Sequence, residues 1–356
     1  MALLDADLPS SPAICSNSGG STGRSRIGRI EQRMPGTEKD RRPQRPRLLL
    51  KAVMDEAEAI PCAGGTALAF SRPSPAKDTP NEDAAAVFPL WDGTAVLVVA
   101  DGVGGMKAGH KASASAVRAM GKSLSGAQKG DDLRTFILDG IERANQNIMK
   151  YCGGSATTLA AVEVSDGYMR PYHVGDSIIL QISSRGDIKW SALSHAPVSY
   201  AVEAGVMSEE DAMLHPERNI ISNAVGDRDM RISIGPRRKL AQQDTIVVAS
   251  DGLCDNLSSH EIADYTRRSP LSERTQQMIA ATRERMYLAI EGLSERENLP
   301  GKPDDLTVLV YRRERRKKSR KKKAPPAAPP VTFVEPIEPV VEAPPAAVPP
   351  TSLVYR

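Results

Sequence analysis

Three short acidic stretches lie far apart in this chain, each at the end of an apolar run. Asp101-Gly102-Val103-Gly104-Gly105 follows the run 95–100, Asp251-Gly252 follows 245–250, and Asp304-Asp305 precedes 306–310. Continuous β-branched runs of this length read as buried strands. An ionised carboxylate at the mouth of a buried strand is costly to desolvate without a partner. No nearby Lys or Arg offers itself to these three stretches, so the economical partner is a hard cation held by oxygen ligands from several strand ends. Carboxylates arranged around a divalent ion suit hydrolysis, because the ion acidifies a bound water into a nucleophile.

Further short segments fall in a fixed order around these three. They are Asn81-Glu82-Asp83, Gly154-Ser155-Ala156-Thr157-Thr158 and Gly175-Asp176-Ser177. The second acidic stretch extends to Ser250-Asp251-Gly252-Leu253-Cys254-Asp255, and the third to Asp304-Asp305-Leu306-Thr307-Val308. With these motifs in this order, residues 62–312 resemble the metal-dependent type 2C serine/threonine protein phosphatases in their bacterial form.

The resemblance implies an α+β fold, two packed antiparallel β-sheets flanked by α-helices, with the site at one edge of the sandwich. It implies hydrolysis of phosphoserine and phosphothreonine by a metal-activated water at a binuclear Mg2+ or Mn2+ centre, with a third, looser ion as an option. Asp101, Asp251 and Asp304 match the family's central aspartates, and the carbonyl of Gly102 and the carboxylate of Glu82 complete the pair of ion sites. Asp176 and Asp255 match the residues of the third ion, and Asp83 matches a carboxylate that orients the ligands. Taken singly, each Asp could be a turn or N-cap residue, and Asp255 could cap a helix near 258–265.

The chain departs from the family pattern in three places. Where the family carries a phosphate-gripping arginine three residues before the Asn of Asn81-Glu82-Asp83, this chain has Asp78. Lys77 is the nearest cation and the expected phosphate-binding residue, as a point charge rather than a bidentate fork. The position after Gly175-Asp176-Ser177 is Ile178 in place of arginine, and Met106 stands where bacterial members often carry histidine. These changes bear on phosphate affinity and leave the metal carboxylates intact.

The elements that must position these residues are legible as well. Strands are expected at 66–70, 84–88, 94–100, 157–164, 169–174, 177–182 and 187–190, with a last pair near 244–250 and 306–311. Trp91-Asp92-Gly93 reads as a hairpin-like turn. Ala108, Ala112, Ala116, Val117, Met120 and Leu124 recur at helical spacing. Asp131 or Asp132 can cap a second helix whose stripe is Leu133, Phe136, Ile137, Ile141, Ala144 and Ile148. Residues 194–226 read as a polar flap with a short helix opened at Ser208, and one or two helices fall between 259 and 298. Gly121-Lys122-Ser123 resembles the end of a P-loop, but no strand precedes it, and a helical continuation is expected.

Composition bounds the rest. The 356 residues carry a net charge of +3. That charge is divided: residues 61–311 hold 26 Lys+Arg against 32 Asp+Glu, whereas 312–323 hold ten basic residues and one acidic. The four scattered cysteines form no zinc pair and no disulfide framework, which fits a reducing, cytoplasmic setting. No apolar stretch approaches the roughly 18 residues of a membrane span. Residues 1–61 are expected to be disordered, 313–323 form a basic run, and 324–356 form a Pro/Ala-rich disordered tail with ten prolines between 325 and 350. The basic and Pro-rich tail is a spacer or a docking segment for acidic or SH3-like partners. A monomer is expected, acting on phosphorylated substrates of a Ser/Thr kinase, with no specific nucleic acid. Two alternatives accompany this reading: a catalytically weak phosphoprotein-binding scaffold of the same fold, and a phosphatase of a sigma-factor pathway, the latter prompted by Asp304-Asp305-Leu306-Thr307.

Overall fold

The structure, a computed structural model, describes residues 45–91, 93–103, 108–294 and 299–314. The expected basic run beyond Glu314, the Pro/Ala-rich tail, the first 44 residues, Gly104, Gly105 and Met106 lie outside the described residues.

In chain order the strands are β1 (Arg47–Leu50), β2 (Glu58–Cys62), β3 (Gly65–Arg72), β4 (Ala84–Trp91), β5 (Thr94–Ala100), β6 (Leu159–Ser165), β7 (Tyr168–Val174), β8 (Ile178–Ile182), β9 (Ile188–Ser191), β10 (Ser233–Ile234), β11 (Arg238–Lys239), β12 (Thr245–Ala249) and β13 (Leu306–Arg313). The helices are α1 (Gly109–Leu124), α2 (Leu133–Tyr151), α3 (Pro197–Glu203), α4 (Glu209–Leu214), α5 (Asp251–Cys254), α6 (Ser259–Thr266) and α7 (Leu271–Ile290).

The strands form two antiparallel sheets. One runs β1-β4-β5-β6-β7-β10, with β11 also paired to β7; the other runs β2-β3-β13-β12-β8-β9. The apolar runs are continuous because both faces of each central strand are covered. On β5, Val96, Val98 and Ala100 pack under α1 and α2, whereas Ala95, Leu97 and Val99 face the second sheet. On β12 and β13, Val247, Ala249, Val308 and Val310 lie under α5, α6 and α7, and Ile246, Val248, Leu309 and Tyr311 enter the inter-sheet core. The result is helix, sheet, sheet and helix in layers, as expected for two packed sheets flanked by helices.

One expected boundary is corrected. Residues 45–61 are not disordered: Leu48 to Leu50 pair with β4, and Glu58 to Cys62 pair with β3. Each adds an edge strand, and Leu49 and Ile60 drop into the inter-sheet core. The four-residue β1 is too short and the proline-bearing β2 too irregular to stand out by periodicity.

The helices start where local chemistry places them. Asp132 accepts the Arg134 N–H at 3.1 Å and opens α2. Ser208 accepts the Asp211 N–H at 3.0 Å and opens α4. Ser258 and Glu261 form a reciprocal capping box on α6, so Asp255 is not that helix's cap. The P-loop-like segment is the end of α1.

Candidate metal centre

The acidic residues meet because the strand ends that carry them are neighbours. β12 lies between β13 and β8, so Ser250-Asp251, Asp304-Asp305 and Gly175-Asp176 leave the same edge of one sheet. β5 delivers Asp101 from the facing sheet, and the Asn81-Glu82-Asp83 segment precedes β4.

Asp101 is fixed through its backbone. Its N–H donates to Thr158 Oγ1 at 3.0 Å, and its carbonyl accepts from the Thr158 N–H at 2.8 Å and Thr157 Oγ1 at 2.6 Å. This explains Gly154-Ser155-Ala156-Thr157-Thr158 as a clamp on the strand end. Gly102 donates its N–H to the Glu82 carbonyl at 3.2 Å. A Cβ at Gly102 would lie 2.5 Å from the Gly109 backbone and 2.8 Å from the Glu82 carbonyl. Glycine is therefore required by the crowding of two neighbouring backbones, in addition to any approach to an ion.

Asp83 is buried behind this layer. Its Oδ2 accepts from Ser250 Oγ at 2.8 Å, and its Oδ1 has no hydrogen-bond partner. Asp305 proves to be a structural keystone. Its carboxylate accepts the Ser74 and Glu82 N–H groups, both at 2.7 Å, and pairs with Lys77 Nζ at 2.9 Å. Lys77 also reaches Glu82 Oε2 at 3.2 Å. Glu82 is thus held at its backbone by Asp305 and at its side chain by Lys77, and the Lys77 ammonium sits at the site already paired. Arg72, the other cation near the segment, is turned away to Asp55 and the Met54 carbonyl.

The expectation that no cation would be near the three acidic stretches is overturned. Lys302 Nζ lies 2.7 Å from Asp251 Oδ2, 2.7 Å from Asp255 Oδ2 and 3.0 Å from Asp304 Oδ2. The signal was two residues upstream of Asp304, but its reach across to Asp251 depends on the pairing of β12 with β13. Among the described residues, no three His, Cys, Asp or Glu side chains enclose an ion as they stand. The point where three of them converge is taken by the Lys302 ammonium.

The charges register this crowding. Burial, then the neighbouring Asp83, Asp251, Asp304 and Asp176, push the Asp101 carboxyl well above the usual carboxylate range. Burial and the charge of Asp251 raise Asp176 and Asp255 to about 7 and Asp304 to about 6, all three against the pull of Lys302. Burial alone would lower the Lys302 ammonium, but Asp251, Asp255 and Asp304 outweigh it and keep it charged far into the alkaline range. Arg218, on the flap, adds a weaker positive influence at Asp255. Carboxylates that repel one another and recruit a cation are the donor set of a hard divalent ion. Cys254 offers no rival chemistry: burial and the adjacent Asp255 and Asp251 hold its thiol well above its usual value, away from the thiolate form.

The flap is tied to this edge by His195. Its Nδ1 accepts from the Gly175 N–H at 3.0 Å and from Asn223 Nδ2 at 2.8 Å, and its Nε2 meets Ser233 Oγ at 2.8 Å. His195 stacks on His173 at 4.5 Å between ring centroids. His173 is buried, with Nε2 bonded to the Leu193 carbonyl and Nδ1 without a partner.

Known proteins share this fold. The protein phosphatase 2C family profile matches residues 75–289. A serine/threonine phosphatase of Listeria welshimeri is 28% identical over 248 residues, covering 65% of this chain and 90% of that one. The solved serine/threonine phosphatase of S. agalactiae superposes with a TM-score of 0.58 at 28% identity, over 70% of this chain and 99% of the other. The catalytic domain of the phosphatase PstP, solved with two manganese ions, shares the fold at a TM-score of 0.54 and 22% identity, over 69% of this chain and 96% of its own. The chain belongs to the protein phosphatase 2C family. Its class is that of the metal-dependent protein serine/threonine phosphatases.

Proposed function

We propose that this phosphatase hydrolyses phosphoserine and phosphothreonine on protein substrates at the acidic edge of the sandwich. In this reading Glu82, Asp101, the Gly102 carbonyl, Asp251 and Asp304 hold a pair of Mg2+ or Mn2+ ions, and Asp176 and Asp255 serve a third. The observation that carries it is the convergence of Asp251, Asp255 and Asp304 on a single ammonium, beside an Asp101 whose carboxyl is raised by burial and by Asp83, Asp251, Asp304 and Asp176. When bound, such ions supply an acidified water and positive charge for the phosphoryl oxygens.

The chain's own groups do the positioning. Thr157 and Thr158 fix the strand end that carries Asp101. Asp305 fixes the Glu82 backbone, and Ser250 orients Asp83. Lys77 stands at the same place as a point charge and is proposed to contact the substrate phosphate once Glu82 is engaged elsewhere. The assembled carboxylates give the scaffold alternative no support. Turnover of p-nitrophenyl phosphate and of a phosphothreonine peptide, with and without Mn2+, tests the proposal. Mn2+-dependent release of phosphate from both is expected; metal-independent turnover, or none at saturating Mn2+, would overturn it.

A further inference from the structure

Lys302 is built into the centre. The loop that carries it, between α7 and β13, is clamped to the end of α5 by the buried side chain of Asn256. Asn256 Oδ1 accepts the Lys302 N–H at 3.0 Å, and Asn256 Nδ2 donates to the carbonyls of Lys302 at 2.9 Å and Gly252 at 3.0 Å. With the backbone fixed, the four-carbon stem delivers Nζ to the three carboxylates, and the side chain is only 16% exposed. A surface lysine has no such anchor, and the loss of rotamer freedom on burying one is substantial.

We propose that Lys302 is a tethered competitor for the divalent ion, an internal cation that fills the Asp251–Asp255–Asp304 position until a metal displaces it. This rests on the functional reading above. The physical argument is a balance of charge. Three carboxylates drawn together without a cation repel one another and would spread the ends of β12, α5 and β13. One ammonium offsets a single charge, enough to keep the metal-free edge assembled, and leaves a net attraction for a doubly charged ion. That ion must break three ion pairs on entry, so its apparent affinity is reduced by the free energy of displacing the lysine. The stem is long enough for the displaced ammonium to turn toward solvent at the mouth of the site. Lys302 therefore sets the metal concentration at which the enzyme loads.

The test compares the full chain with Lys302→Met and Lys302→Gln, which remove the charge and retain the length of the stem. Mn2+ binding to the metal-free proteins is measured by calorimetry and by the electron paramagnetic resonance signal of free Mn2+. Thermal melting is followed with and without Mn2+. The expected result is at least one Mn2+ site about tenfold tighter in both variants, a lower melting temperature without metal, and a larger rise on adding Mn2+ than in the wild type. Lys302→Arg, which keeps the charge, should not gain affinity. Unchanged or weaker Mn2+ binding in both neutral variants overturns the inference. Should Lys302→Met fail to fold without metal, refolding it in Mn2+ and measuring release to a chelator gives the same comparison: slower release than wild type supports the inference and equal or faster release overturns it. A wild type that binds no Mn2+ at all would instead overturn the functional reading on which this one stands.

Discussion

The carboxylate of Asp305 accepts the backbone N–H of Glu82 at 2.7 Å, although the two residues lie 223 positions apart. It is 3% exposed, and its other oxygen is spent on the Ser74 N–H. The second Asp of the Asp304-Asp305 pair thus builds the segment that carries Glu82, and the first faces the centre. Asp305→Ala leaves the buried Ser74 N–H and the half-buried Glu82 N–H without an acceptor and Lys77 with one partner. Each unsatisfied N–H costs about 1–3 kcal/mol, so a stability loss of about 3 kcal/mol is expected in denaturant melts. Asp305→Asn should retain more of the stability and still weaken Mn2+ binding by about tenfold, as removal of a residue that orients a ligand commonly does. Calorimetric Mn2+ affinities equal to wild type in both variants would remove Asp305 from the support of the centre.

Asp101→Asn separates the two consequences of carboxylate crowding. The charge that burial, Asp83, Asp251, Asp304 and Asp176 disfavour is gone, and the backbone bonds to Thr157 and Thr158 are untouched. The variant should fold, and without metal it should melt at or above the wild-type temperature. Turnover should nearly vanish. Activity within about tenfold of wild type at saturating Mn2+ would sink the proposal that Asp101 helps to hold the ions.

The fold was legible to the extent that its strands are buried on both faces. The runs at β5, β12 and β13 are unbroken apolar segments whose ends carry the motifs, so strand and site were read together. The edge strands β1 and β2 do not stand out, because four or five residues with only one or two buried side chains carry little pattern. Candidate site residues announced by a motif, such as Asp101 and Asp251, were found from type and spacing. Asp305 stands within its motif, but its inward role depends on which way the chain turns into β13. Lys302 and Asn256 carry no motif, and their part follows only from the pairing of β12 with β13 and the return of α7. Side-chain identity marks the candidate ligands of a centre; the groups that brace them are set by tertiary geometry.

Lys77 is expected to affect substrate more than metal. Its ammonium bridges Glu82 and Asp305, and those two, Asp305 first, raise its pKa against the opposing effect of burial. Lys77→Ala should raise KM for a phosphothreonine peptide several-fold, with kcat reduced only modestly, because a point charge on a phosphate acts in ground and transition states alike. An unchanged KM together with weaker Mn2+ binding would confine Lys77 to holding Glu82.

His195 makes the flap sensitive to acid. Its Nδ1 accepts from two N–H donors, of Gly175 and Asn223, so the neutral ring carries its proton on Nε2, facing Ser233. Protonating Nδ1 would aim N–H against N–H. Burial first, and then the stacked His173, lower its pKa from 6.5 to about 4. A base whose folded value is depressed takes up its proton more readily when unfolded, so stability is complete above pH 6.5 and is lost as pH falls toward 4. Between pH 7 and pH 5 this amounts to about 2 kcal/mol for a buried group with that shift. Carboxylates elsewhere titrate over the same range, so the decisive comparison is with His195→Asn. Its Oδ1 can take the place of Nδ1 as acceptor, and it carries no titrating group. The denaturant stability of His195→Asn should lie below wild type at pH 7 for want of the Ser233 bond, and should fall less on going to pH 5. Parallel pH profiles for the two proteins would show that His195 is not the group whose protonation loosens the flap.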